Sequence, residues 1–303
     1  MKNVFLTALL FFAGAALFAQ QEAQYTQYMY NTANVNPAYA GTRGVLSVFG
    51  LHRTQWVGLE GAPVTNTFAL SSPVGYSGLG LGVSVVNDRI GATSTNDISA
   101  DISYTIPVST FYDLSFGLKA TADLFSLDRD KLNIYDDADM YLADVKNDFS
   151  PNIGAGIYLH SDNTYIGISV PGFLQTTKYA DNERAVYIDK MHVYLIGGHV
   201  FDLSPSLKFK PAFLLKGVQG APLQLDLSGN FLINEKFVLG AAYRWDAAVS
   251  AMAGFQVSKG MYIGYGYDME TTKLARYNSG SHELFLRFEL FRKGEGLVSP
   301  RFF

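Results

Sequence analysis

Thr95-Asn96-Asp97-Ile98-Ser99-Ala100-Asp101-Ile102-Ser103-Tyr104-Thr105-Ile106 alternates almost without a break. Asp97, Ser99, Asp101, Ser103 and Thr105 fall on one side, and Ile98, Ala100, Ile102, Tyr104 and Ile106 on the other. Successive side chains of a strand point to opposite faces, so this period of two makes one polar and one apolar face. Asp113 to Phe125 repeats the pattern, with Leu114, Phe116, Leu118, Ala120, Ala122 and Leu124 opposing Asp113, Ser115, Gly117, Lys119, Thr121 and Asp123. Leu223 to Phe231 and Glu283 to Leu290 do so again. Ordinary strands average about five or six residues. A tilted strand that crosses a bilayer needs ~9–11, and several of these runs reach that length. The pattern predicts an all-β chain folded as a transmembrane antiparallel β-barrel.

Working outward, fourteen segments carry the pattern: 44–55, 62–72, 77–87, 95–106, 112–125, 151–160, 163–170, 189–201, 205–217, 222–233, 236–245, 248–257, 260–267 and 282–291. An even count suits a single-chain bacterial barrel. Such barrels have short periplasmic turns and longer outer loops. With the first segment running outward, short connections follow the even segments, and the long ones, 126–150, 171–188 and 268–281, follow odd ones. Tyr28, Tyr30, Tyr104, Tyr112, Tyr243, Trp245, Tyr262, Tyr265 and Tyr267 lie mostly near segment ends and are expected at the membrane interfaces.

Composition agrees. The 303 residues hold 23 Lys+Arg and 27 Asp+Glu, a net charge of −4, with 17% charged and 14% aromatic residues and no cysteine. Soluble domains carry about 25% charge. The acidic balance argues against a nucleic-acid partner. Thiol chemistry, disulfides and Cys-based zinc sites are excluded. Met1-Lys2-Asn3 followed by the apolar run Val4–Phe18 reads as a secretory signal peptide over 1–19. The remaining divisions are an N-terminal motif segment over 20–43, the barrel over 44–291 and a tail over 292–303.

Charge on the polar faces, including Asp101, Lys119, Lys210, Asp226, Arg287 and Glu289, is expected in the lumen. An Arg or Lys facing lipid at the midplane costs ~2–4 kcal/mol. The loop 126–150 is acidic, and Asp136, Asp137, Asp139 and Tyr141 are its candidate partner contacts. It has no Asp-x-Asp-x-Asp-Gly pattern with a following Glu, so no metal site is assigned. The five histidines show no His-Glu-x-x-His spacing, and there is no Gly-x-Ser-x-Gly elbow. The sequence therefore nominates no catalytic residue and no cofactor.

Ahead of the first strand stand Gln24-Tyr25-Thr26-Gln27-Tyr28-Met29-Tyr30-Asn31 and Asn36-Pro37-Ala38-Tyr39-Ala40-Gly41-Thr42-Arg43. This polar-aromatic segment is too apolar for a free tail, and a barrel of ~14 strands has room for it as a plug or rim clasp. With His52-Arg53-Thr54-Gln55-Trp56, these residues carry a resemblance. The pattern Gln24, Tyr25, Gln27, Tyr28, Asn31, then Asn36, Pro37, Ala38, Gly41, Arg43, then Gln55 and Trp56, resembles the PorP/SprF family of Bacteroidota. The resemblance implies an outer-membrane barrel of a Gram-negative bacterium, tied to type IX secretion and, in some members, gliding motility. It implies as partners the C-terminal domains of secreted cargo such as adhesins, or secretion-machinery subunits with a peptidoglycan-associated partner, besides outer-membrane lipid. It implies no catalytic residues. The expected function is non-enzymatic cargo binding, by β-augmentation where cargo pairs with a loop strand. The alternatives are a transport channel for a small or hydrophobic solute, and a surface hydrolase.

Overall fold

The computed structural model describes residues 24–131, 145–178, 187–188 and 190–290. The leader 1–19, the tail 292–303 and the loop residues Asp136, Asp137, Asp139 and Tyr141 lie outside the described residues.

Fourteen antiparallel strands close into a barrel. They are β1 (Leu46–Thr54), β2 (Val64–Pro73), β3 (Leu79–Ile90), β4 (Thr93–Pro107), β5 (Asp113–Leu127), β6 (Val145–His160) and β7 (Thr164–Val170). Then come β8 (His192–His199), β9 (Leu207–Val218), β10 (Gln224–Ile233), β11 (Phe237–Arg244), β12 (Ala248–Ser258), β13 (Met261–Glu270) and β14 (Ser281–Leu290). Each pairs with its sequence neighbours, and β14 returns to β1 from Leu46↔Leu290 to Thr54↔His282. Closure leaves no sheet edge and satisfies every ladder within the chain, as a strand protein in lipid must. One extra short strand, Phe201–Ser204, pairs with the start of β9. A two-residue ladder joins Thr177–Lys178 to Tyr187–Ile188.

The barrel is apolar outside and polar within. On β4, Ser99, Asp101 and Ser103 are buried, whereas Ile98, Ile102 and Tyr104 are about half exposed, at 45%, 47% and 53%. Phe68, Val83, Leu118, Ile168, Leu239 and Leu284 continue the outer apolar surface on other strands. This is the arrangement that the alternating runs dictate when lipid surrounds the sheet.

Several strand ends depart from the sequence reading by two or three residues, as where β3 runs to Ile90 and β13 to Glu270, and two differ in kind. β6 starts at Val145, six residues before the expected 151. Lys146 to Phe149 are exposed on both faces, so no alternation marks them. β8 stops at His199, and Phe201–Ser204 forms its own short strand. The aromatics split. Tyr104, Tyr112, Tyr243, Trp245 and Tyr265 are exposed on the outer surface. Tyr28, Tyr30 and Tyr262 are not interfacial, being buried inside the barrel at 1%, 5% and 5% exposure. Tyr262 shares the inward face of β13, and Tyr28 and Tyr30 belong to the segment before β1.

Candidate functional site

The lumen holds the chain's own N-terminal segment. Gln24 donates to Gln224, the first residue of β10 (3.0 Å). Arg43 pairs with Glu289, the penultimate residue of β14. Strand β10 begins at the end of the barrel that carries the long loops, and β14 finishes at the end with short turns. Residues 24–43 therefore descend the lumen from the long-loop half to the short-turn end, where the chain turns up into β1.

Local chemistry shapes this descent. Asn31 precedes a single helical turn, α1 (Thr32–Val35). Asn36 then caps a 3-10 turn over Pro37–Tyr39, its Oδ1 accepting from Ala38 N (3.0 Å). Proline at the first helical position loses no hydrogen bond, because that N–H has no helical partner. The Asn36 amide donates to Ile157 O of β6 (3.0 Å). Ser169 donates to Val35 O (2.7 Å), Ser103 to Ala40 O (2.6 Å), and Ser71 Oγ accepts from Gly41 N (2.8 Å). Two inward glycines let the backbones meet. A Cβ on Gly117 would collide with Ala38 N, and one on Gly80 with Ala40 O. The Gly78-Leu79-Gly80-Leu81-Gly82 run is thus strand texture with a use, since Gly80 makes a landing for the segment.

The segment is packed as a core. Met29, Asn36 and Ala38 have no exposed surface. Tyr28, Tyr30 and Tyr39 pack on inward Phe49, Tyr158, Tyr262 and Phe285. Tyr30 lies 4.7 Å from the Phe285 ring and stacks on Tyr262 at 5.5 Å.

At the long-loop half, Arg53 of β1 organises a buried ion cluster. Its Nη2 donates to Asp268 of β13 (2.7 Å) and its Nη1 to Glu283 of β14 (3.1 Å) and to Thr26 Oγ1 (2.7 Å). Thr26 Oγ1 donates onward to Asp268 (2.6 Å). The two Glu283 oxygens accept from the backbone N–H groups of Thr26 and Gln27, each at 2.9 Å. Buried charges persist only when paired and hydrogen-bonded, and here both conditions are met.

The motif residues fall into three groups. Gln24, Tyr25, Gln27 and Tyr28 gather beside this cluster, with Tyr25 OH bonded to Thr67 (3.0 Å), Tyr25 O accepting from Arg244 (3.1 Å) and Tyr28 OH bonded to Ser228 (3.1 Å). Gln55 accepts from Arg53 Nε (2.8 Å), and Trp56, at φ 45°, donates its indole N–H to Glu270 (2.8 Å). Asn36, Pro37, Ala38 and Gly41 line the β2–β6 wall, and Arg43 closes the short-turn end. The Asn31 side chain is buried with no hydrogen-bond partner for either amide atom. Sequence reasoning did not nominate Asp268 and Glu283. The only signal was the position of Arg53 inside the quoted motif.

Above the segment, a cavity of about 190 Å³ lies within the long-loop half. Gln24, Tyr25 and Tyr28 form its floor, and its wall carries Asp88, Asp97 and Asp123 on β3, β4 and β5. Asp97 and Asp123 are directly opposed in the ladder. Lys119 and Lys216 also line it, with Lys119 Nζ 3.4 Å from Asp101. Among the described residues, no group of three or more His, Asp or Glu is arranged to hold a metal ion.

These features define a membrane-spanning β-barrel of the porin-like type, with a luminal segment in place of an empty bore. A family model described as "Type IX secretion system membrane protein PorP/SprF" matches residues 17–288, and the chain belongs to that family. No curated protein matches the sequence. Among solved structures, a deletion mutant of TodX, a monoaromatic hydrocarbon channel, is similar with a TM-score of 0.50 at 8% identity, over 86% of this chain and 94% of that one. CymD, another monoaromatic hydrocarbon channel, gives 0.49 at 13% identity over 88% and 94%. KdgM porin gives 0.38 at 8% identity over 81% and 99%. At these identities the likeness is one of fold.

Proposed function

We propose that this barrel is a non-enzymatic docking protein of the type IX secretion and gliding machinery in a Gram-negative outer membrane. Its long-loop end faces outward, as the loop asymmetry of outer-membrane barrels requires. There it holds the C-terminal domain of a secreted surface protein. Its short-turn end faces the periplasm, on the side of the machinery subunits and their peptidoglycan-associated partner.

The observation that carries this reading is the filled lumen. A solute channel needs a continuous path, yet residues 26–32 and 35–40 are almost wholly buried across the bore. The remaining cavity of about 190 Å³ has the segment as its floor. A bore occupied by its own chain offers its ends for docking rather than a conduit for solute. Asp88, Asp97 and Asp123 on its wall suit a cationic stretch of the partner, because complementary charge steers association and fixes register.

Two measurements test the reading together. The barrel purified from membranes should retain a secreted protein or machinery subunit, and Asp97→Asn with Asp123→Asn should lower that recovery several-fold. In planar bilayers the intact protein should give no steady open channel. A reproducible conductance with no co-purifying protein would overturn the proposal in favour of a transport channel.

A further inference from the structure

The outer wall carries a polar row where its apolar band ends. His52 of β1, Asn66 of β2, Asn87 of β3 and Asn96 of β4 are directly opposed in successive ladders and lie on the outward face. They are joined side chain to side chain. His52 Nδ1 lies 2.8 Å from Asn66 Oδ1, Asn66 donates to Asn87 Oδ1 (3.5 Å), and Asn87 donates to Asn96 Oδ1 (2.8 Å). One step toward the short-turn end, the outward residues are Phe68, Val85 and Ile98, all exposed. One step toward the loops stands Arg89, exposed and opposite Ser94. Among the outward residues of β1 to β5, Arg89 is the only Arg, Lys, Asp or Glu. An arginine on the lipid face is costly at the midplane and nearly free at the interface, so this row marks the level where hydrocarbon gives way to headgroups.

Lower on the same wall is an apolar recess of about 730 Å³, lined by Tyr104, Phe116, Leu118, Ala155, Ile157 and Val170. Ala155 stands between Leu118 and Val170 in the ladders and is too short to fill the space between their side chains. Ile102, which also lines the recess, lies further down β4 than Asn96 of the polar row. At ~3.4 Å per residue and a strand tilt of ~35–45°, the run from Asn96 to Ile102 covers about 15 Å of depth, half of the ~30 Å hydrocarbon core. The interval between row and recess is therefore the depth of one leaflet. Because the recess faces hydrocarbon, its occupant comes from the bilayer.

We propose that the outer face of β3 to β6 binds one lipid of the outer leaflet, an anionic glycolipid that carries phosphate. Its headgroup lies on Arg89, Asn87 and Asn96, and an acyl chain runs down to the recess at Ala155. A guanidinium pairs with phosphate in bidentate geometry. Side-chain amides both donate and accept, as sugar hydroxyls do. Asn96 accepts from Asn87 through its Oδ1, which leaves its N–H groups directed to a ligand. The choice of leaflet rests on the outward orientation of the long-loop end proposed above, and cargo docking does not enter it.

The test is native mass spectrometry of the full-length barrel in detergent, titrated in turn with lipid A, phosphatidylglycerol and phosphatidylcholine. Lipid A should bind in a saturable way and the most tightly of the three. Arg89→Gln combined with Asn96→Ala should raise its apparent Kd roughly fivefold or more, and so should Ala155→Trp, which fills the recess. These positions face away from the lumen, so the heat-modified gel mobility of each variant should match that of the intact barrel. Equal retention of the three lipids, or lipid A retention unchanged in either variant, overturns the proposal. A preference for phosphatidylglycerol also overturns it and reverses the assigned orientation, whereas recovery of a secreted protein is read separately and fails independently. Should a variant fail to fold, the intact barrel decides. Lipid A retained over both other lipids supports the site, and no preference refutes it.

Discussion

Arg53 reaches from β1 to Asp268 on β13, Glu283 on β14 and Thr26 in the luminal segment. Removing it strands two buried carboxylates, a loss of about 3–5 kcal/mol for a broken buried pair. Arg53→Ala should therefore lower the unfolding midpoint of the barrel, read from the temperature at which its heat-modified gel mobility changes. Gly117→Val makes a different perturbation. It leaves the ladder intact but drives a side chain into Ala38. The luminal segment should then become cleavable by added protease while the barrel keeps its folded mobility, and an uncut segment would show that the contact can yield. Little of this was legible in the sequence. Arg53 lay inside a recognisable motif, but its acidic partners stand 215 and 230 positions away. Only closure of the sheet brings them together, so no local window could pair them.

At the scale of elements, legibility followed the environment. Lipid imposes an apolar outer face on every membrane-crossing strand, and all fourteen expected segments correspond to strands of the barrel. Where that constraint lapses, the signal lapses too, as in the exposed residues Lys146 to Phe149 at the start of β6. Aromatics misled for a related reason. Tyrosine suits an interface girdle and a packed lumen equally, because its ring is apolar and its hydroxyl can find a partner in either place. The luminal segment itself invites a direct experiment. Deleting 24–41 removes the bulk that crosses the bore, so the variant should conduct ions in planar bilayers where the intact protein does not. A deletion variant that folds and stays silent would mean that the side chains of the wall close the lumen without help.

Across the whole molecule, the low charge content of the sequence reflects where charge is allowed. The outer wall is apolar, and charged side chains are gathered inside and at the ends. Inside, carboxylates and lysines share the cavity of the long-loop half, and Arg43 and Arg287 meet Glu289 in the short-turn half. Composition alone could place charge off the lipid face, but the pairing of charges across the lumen needs the strand directions and the register.

The enclosed segment has a consequence for how this chain is made. Residues 24–43 lie inside a ring that is complete only when β14 pairs with β1, and that final pairing joins parts of the sequence separated by more than two hundred residues. A packed bore offers no route for threading Tyr28, Tyr30 and Tyr39 afterwards. Residues 24–43 are therefore expected to lie along the nascent wall before the seam is zipped, and Arg53 and Glu283 meet beside Thr26 across that seam. Assembly has a fixed order of events: the barrel closes around its own first residues, and that step is difficult to undo without reopening the seam.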